Sequence, residues 1–302
     1  MQLSSLLFDE RCFPTAQFKA FLRAISVPGD DLRYIDDSLQ ERFFPKNDAG
    51  QPKERWELSS LEVGCSRNEF RRHLAACGFM LFTEPEGMEY SRVAWPGALV
   101  TRAAVRLADL IGAWNSGVRW QETIVFGGKR PLQPLKEGII NCCRSLGIVV
   151  EEHTQAREYV RLWDSLNPQD ELDMMRFLWQ AASLEQPYPG ALSLPTELRG
   201  LPVVFVDAPM KPPAKVGGPP IRPTTEDTIK EWLKDSPTPG SMLLSSGAPY
   251  GMAQDEAFWM LLGSLGHTVE TFGHAAPDLP PENFMREVAG CVHRIRKARL
   301  SS

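Results

Sequence analysis

Two stretches of this chain bring together residue types suited to holding a ligand. Arg222-Pro-Thr-Thr-Glu-Asp-Thr228 sets a guanidinium before a hydroxyl-rich helix start. Ser245-Ser-Gly-Ala-Pro-Tyr250 follows the apolar run Met242-Leu-Leu244. Helix starts and strand ends are the places where an α/β protein offers backbone amides and hydroxyls to an anion. Arg222 brings five donors in a planar fork that suits a carboxylate or phosphate. Thr224 or Thr225 also suits a helix cap, with Glu226 and Asp227 favouring the positive end of the helix dipole. Capping therefore accounts for the threonines, Thr225 and Thr228 included, and leaves Arg222 as the residue that calls for a ligand. Ser245 and Ser246 would either donate to that ligand or form a turn. No GxSxG elbow surrounds them and no feature assigns them a histidine base, so neither reads as a nucleophile.

A third stretch, Gly127-Gly-Lys-Arg130, follows the apolar run Glu122 to Phe126. Glycines there permit positive φ and close backbone approach, and Lys129 and Arg130 add positive charge beside them. The pair serves equally as a tight turn or as a cradle for phosphate or carboxylate. It is neither a P-loop nor a GxGxxG fingerprint. Pro96-Gly97 ends another apolar run, and Tyr250 or Trp95 would cover a ring while Gln254 orients the ligand. A metal-assisted alternative has only Asp207 and Asp227 to draw on. Glu171 and Asp173 suit a helix near the Gly127 loop, with a solvated acidic face as their ordinary role.

These residues need elements to position them, and the chain's rhythm supplies a scheme. From about residue 88, short apolar runs alternate with helical patterns, the signature of a parallel sheet. Strands are expected at Tyr90 to Trp95, Glu122 to Phe126, Ile148 to Val150, Pro202 to Val206, Ser241 to Ser245 and His267 to Phe272. Helices are expected at Thr101 to Trp114, Leu135 to Leu146, Gln169 to Ala182, Thr225 to Leu233, Gln254 to Leu265 and Pro281 to Arg299. Right-handed crossovers would bring every strand-to-helix loop to one edge of the sheet, where ligands bind in such folds. The expected architecture is a three-layer, Rossmann-like, mostly parallel α/β domain over residues 89–302, with an enlarged middle segment at about 131–200. Residues 1–88 read as a helical N-terminal extension. Within it, Ala16 to Ile25 has helical spacing, Lys46 to Lys53 is a polar loop, and Ser66-Arg-Asn-Glu69 is a capping box opening a helix that Gly78 closes.

Bulk properties narrow the class. The 302 residues carry a net charge of -5 with 43% hydrophobic and 24% charged residues, as expected of a globular chain. That charge disfavours nucleic acid as the main partner. The C-terminal run His293-Arg-Ile-Arg-Lys-Ala-Arg299 is the exception, and it suits the cationic last turn of a helix. No apolar run has membrane-spanning length, and the N-terminus lacks the basic region of a signal peptide. Six cysteines (Cys12, Cys65, Cys77, Cys142, Cys143, Cys291) show no CxxC pair or zinc spacing and read as reduced thiols of a cytoplasmic protein.

Taken in order, the motifs resemble the YdcF/SanA/ElyC-like family. The resemblance rests on Gly97 and Arg102, the strand end Gly127-Gly128, Glu171 with Met174-Met175, Arg222 with Thr225 and Thr228, and Ser245 to Tyr250 before a helix. It covers roughly residues 90 to 273. Trp95-Pro96 stands where the family has Leu-Gly, Phe126 where it has the Ser of Ser-Gly-Gly, and Asp227-Thr228 where it has Glu-Asn. Tyr250-Gly-Met-Ala-Gln254 replaces His-x-x-Arg-Ala. The resemblance implies a Rossmann-like sheet with a polar pocket at its carboxyl edge. It also implies a nucleotide-like or S-adenosylmethionine-type ligand. The expected activity is a metal-independent hydrolysis or group transfer, and the alternative is an interaction protein that keeps the fold without the chemistry.

Overall fold

The computed structural model describes residues 3–27, 29–44, 65–80, 83–149, 156–213, 217–275 and 281–300. The expected loop at Lys46 to Lys53 and the residues Val150 and His153 lie outside these. Among the described residues, a 3-10 turn at Leu3–Leu6 precedes the helices α1 (Ala16–Ala24), α2 (Leu32–Phe43) and α3 (Arg67–Ala76). Then follow β1 (Glu89–Pro96), α4 (Val100–Asn115), β2 (Arg119–Gly128), α5 (Pro134–Glu137), α6 (Ile139–Ser145), α7 (Ala156–Leu166), α8 (Glu171–Ala182) and α9 (Thr196–Arg199). The chain continues with β3 (Val203–Ala208), α10 (Thr225–Leu233), β4 (Ser241–Ser245), α11 (Gly251–Leu262), β5 (Thr268–Phe272) and α12 (Pro281–Leu300).

The strands form one five-stranded, all-parallel sheet in the order β3-β2-β1-β4-β5, with helices on both sides. β1 pairs with β2 through Trp95↔Val125 and Pro96↔Phe126, with β4 through Ala94↔Leu244, and β2 pairs with β3 through Gly128↔Ala208. The chain steps outward from β1 through β2 to β3, then returns to the other side of β1 with β4. The switch point thus lies between the carboxyl ends of β1 and β4.

Two expectations are corrected. Ile148 and Val149 are not in a strand; the Ile148 amide instead donates to the Cys143 carbonyl at 2.9 Å, closing α6. A three-residue apolar run cannot announce whether it pairs laterally or seals a helix end. The helix expected from Leu135 to Leu146 is two helices, split at Gly138, whose ψ of 170° is extended.

The chain divides into two compact units, Glu84–Ser245 with Leu261–Val269, and Met1–Thr83 with Ser246–Met260 and Glu270–Ser302. In the first, side chains alternate across the sheet as strand geometry requires. Trp95 is fully buried, packs 6.2 Å from Trp179 of α8 and donates to the Ala103 carbonyl in α4. Phe126, pointing to the other face, meets Trp232 of α10 edge-on at 5.9 Å.

In the second unit, Phe18, Phe21, Ile35, Leu39 and Phe70 share one apolar core with Phe284, Val288, Val292 and Ile295, the expected face of the last helix. Gln40 Nε2 fastens α2 to the Ala289 carbonyl at 2.9 Å. Beside it, buried Asp36 accepts from Arg296 at 2.9 Å and lies 3.0 Å from His293 Nδ1. Arg296 also pairs with Asp37, and Arg299 donates to the Asp9 carbonyl. Arg296 and Arg299 of the basic C-terminal run thus serve to bind neighbouring elements.

This contact gives the second unit a pH dependence. Burial alone would raise the Asp36 pKa, but His293, Arg296 and Gln40 hold it below the ordinary aspartate value. The same pairing lifts His293 above its ordinary value, against burial and the nearby Arg296 and Arg294. The aspartate's contribution is lost as pH falls through its depressed folded pKa, and the histidine's as pH rises through its elevated one. The urea midpoint of the chain should therefore fall between about pH 6 and about pH 8.5, on either side of the ordinary histidine range. His293→Ala should flatten that fall; an undiminished slope would show that the stabilising pair lies elsewhere.

Candidate functional site

The carboxyl ends of β1, β2 and β3 carry a cluster of charges built around close backbone packing. Gly97 continues the β1–β2 pairing beyond the strand, its amide donating to the Phe126 carbonyl at 2.5 Å. None of Gly97, Gly127 and Gly128 has positive φ, so the conformational reason expected for glycine there is replaced by a steric one. A Cβ on Gly127 would come within 2.6 Å of Leu172 Cδ1 and 3.0 Å of the Leu172 Cα. A Cβ on Gly128 would collide with Pro223, on the opposite face. The two glycines let the start of α8 press on one side of β2 and the approach to α10 on the other. Protein atoms, rather than an open cradle, occupy the space beside both.

Immediately after β2 the chain bridges antiparallel to the residues before α8, Pro131 to Asp170. The Glu171 amide donates to the Arg130 carbonyl at 3.0 Å and the Leu132 amide to the Gln169 carbonyl at 3.2 Å. Asp170 caps α8 by accepting from the Asp173 amide at 3.0 Å. This bridge brings Arg130 and Glu171, far apart in sequence, to one point. The Arg130 guanidinium is forked onto Glu137, Nη1 at 2.8 Å and Nη2 at 2.6 Å, and Nη2 also reaches Glu171 Oε1 at 3.3 Å. Glu137 is completely buried and additionally accepts from the Gln133 amide at 2.9 Å. Burial would lower the Arg130 pKa, but the two carboxylates more than offset it and hold the group above its ordinary value. Arg130 is thus an internal keystone with its terminal nitrogens engaged by protein.

Glu171 is the less satisfied partner. Burial raises its pKa, opposed by Arg130 and, at longer range, by the charge of Arg222. Its Oε2 lies where a Cβ on Gly97 would approach within 2.7 Å, and among the described residues that oxygen has no hydrogen-bond donor. On the far side of Gly97, buried Arg106 donates to the Pro96 carbonyl at 2.9 Å and the Gly97 carbonyl at 3.2 Å. The end of β1 is therefore gripped between a guanidinium and a carboxylate.

Arg222 is exposed and, among the described residues, makes no hydrogen bond or ion pair. The threonines behind it serve the helix. Thr224 accepts from the Asp227 amide at 3.3 Å while Asp227 accepts from the Thr224 amide at 2.7 Å, a complete capping box. Thr228 donates back to the Thr225 carbonyl at 2.8 Å. The proline-rich approach is tied at both ends, with Lys211 and Ile221 exchanging backbone bonds and Lys211 pairing with Asp227 at 2.7 Å. Burial would raise the Asp227 pKa, but Lys211 and Thr224 bring it below its ordinary value. Lys129 is half exposed and bound to Asp207 at 3.1 Å. Among the described residues, no group of three or more His, Cys, Asp or Glu could hold a metal ion.

Ser245 has a structural partner: it is buried at the end of β4 and donates to the Arg106 carbonyl at 3.2 Å. Arg102 is half buried in the first turn of α4. Ser246, Tyr250 and Gln254 belong to the other unit, where Ser246 donates to Gln254 Oε1. Glu137 was missed because an acid on a short amphipathic stretch normally faces water. Its only trace was the Arg130…Glu137 spacing, which becomes a contact once the loop between them closes.

Fold and edge chemistry define a Rossmann-like, all-parallel α/β protein with a charged carboxyl edge. Compared with known proteins, the chain matches no family model, no curated protein and no solved structure.

Two stability tests follow from the packing. Glu137→Ala strands the buried Arg130 charge and should cost roughly 3–5 kcal/mol in urea unfolding, as for other broken buried pairs. Gly127→Ala forces its methyl against Leu172 and should cost about 1–3 kcal/mol. Losses under about 0.5 kcal/mol in either variant would contradict the packing described.

Proposed function

We propose that this chain binds a small anionic or nucleotide-like molecule at the carboxyl edge of its sheet. The observation that carries the reading is Arg222, an exposed guanidinium in no hydrogen bond or ion pair among the described residues. It stands just before the capped start of α10, close enough to Glu171 for its charge to act on that carboxyl. A guanidinium in that position favours a carboxylate or phosphate through paired, charge-assisted hydrogen bonds. Lys129 adds charge at the same edge, where Asp207 already holds it and lifts its pKa. Arg130 contributes by rigidity. The order of motifs supports placing the chain with the YdcF/SanA/ElyC-like proteins, and metal-independent hydrolysis or group transfer is the reaction class that such an edge serves.

A second reading, an interaction protein that keeps the fold without its chemistry, is favoured by one specific observation. Leu172 and Pro223 fill the space beside Gly127 and Gly128, where a phosphate would lie in a glycine-cradled site.

Calorimetric titration against nucleotides, S-adenosylmethionine and sugar phosphates separates the two. The first reading expects a binding member of the panel whose affinity falls about tenfold or more in Arg222→Ala, equivalent to about 1.4 kcal/mol. Unchanged binding in Arg222→Ala combined with Lys129→Ala removes the proposed site. Absence of binding across the panel supports the interaction reading.

A further inference from the structure

Glu171 adds a requirement that a cation alone does not impose. Its Oε1 is held by Arg130, while Oε2 lies beside Gly97 with no donor among the described residues. The side chain is only 16% exposed. Oε2 is not sealed from solvent, so a ligand donor can take the place of water on a carboxylate whose other oxygen is already held. The neighbouring charges restrict the donor. An ammonium would be repelled by Arg130 and Arg222, and a bare anion placed at Oε2 would be repelled by the carboxylate itself. A neutral hydroxyl escapes both penalties.

We propose that Glu171 is the specificity-determining acceptor for a hydroxyl of the bound molecule, so that the ligand class is a hydroxyl-bearing phosphate ester. The phosphate lies toward Arg222, and the hydroxyl donates to Glu171 Oε2 beside Gly97. This rests on the reading that Arg222 takes the anion. Arg130, forked onto Glu137, acts as the positioning residue that fixes the Glu171 carboxyl. Gly97 keeps the approach open, because any side chain there would strike the acceptor oxygen.

The test compares ribose 5-phosphate with methyl phosphate by calorimetry on the full chain, reading the ratio of their affinities. The wild-type chain should favour the hydroxyl-bearing ester by about tenfold or more. Glu171→Ala should bring the ratio to within about twofold of unity, with methyl phosphate binding as tightly or more tightly once a repelling charge is gone. Gly97→Ala, which leaves every charge in place, should narrow the ratio in the same way and keeps the test decisive if Glu171→Ala fails to fold. Arg222→Ala should weaken both esters alike. A wild-type ratio near unity, or a preference that survives Glu171→Ala or Gly97→Ala, overturns the assignment to Glu171 while leaving Arg222 as the anion site. An affinity for both esters that is unchanged by Arg222→Ala overturns the anion site instead. If neither ester binds the wild-type chain, both readings fall.

Discussion

Arg130 is a cation taken out of water, and a charge so placed must be matched by acids in a narrow geometry or the surrounding packing cannot persist. Glu137 meets it with a forked pair and Glu171 with a third contact. To supply those acids, the segment after β2 folds back through α5, and α8 begins at the point where its first residue reaches the same guanidinium. The antiparallel bridge from Pro131 to Asp170 and the pressing of Leu172 against Gly127 belong to one arrangement. Loosening any member would expose a buried charge, which gives this edge a defined shape rather than a range of shapes.

The cluster is also asymmetric. On the α8 side, Asp170, Asp173 and Asp207 surround Lys129, and burial together with the neighbouring acids raises the Asp170 pKa. On the α10 side, Arg222 is exposed and in no hydrogen bond or ion pair among the described residues. The edge thus has acids gathered about Lys129 on one flank and an exposed guanidinium on the other.

Where local chemistry decides structure, the sequence was readable. The hydroxyl-rich start at Thr224-Thr225 and the apolar run before Ser245 marked α10 and β4 with the bounds observed. The parallel sheet followed from the alternation of apolar runs and helical patterns. Legibility failed where a distant partner decides. Ile148 lies next to the end of α6 rather than on a strand, a choice settled by a carbonyl that periodicity does not reveal. Glycines after a strand read as flexible, yet their necessity here comes from Leu172 and Pro223, neither adjacent in sequence. Arg130 read as a ligand contact because its acids, one on a four-residue helix and one across the bridge, come together only in three dimensions. Arg222, by contrast, is exposed and in no hydrogen bond or ion pair among the described residues.

The unit containing α1, α2, α3 and α12 is assembled from segments separated in sequence by most of the other unit. Its core residues Phe18, Ile35 and Phe70 share a cluster with Met252, Met285 and Ile295. During synthesis, the early helices emerge long before the residues that cover them, and that core closes only when the last helix arrives. The entropy of closing so long an intervening loop rises slowly with length, but the contacts are non-local and therefore slow to form. The early apolar faces are thus exposed throughout the interval in which the parallel sheet is being made, and chain elongation itself sets how long that exposure lasts.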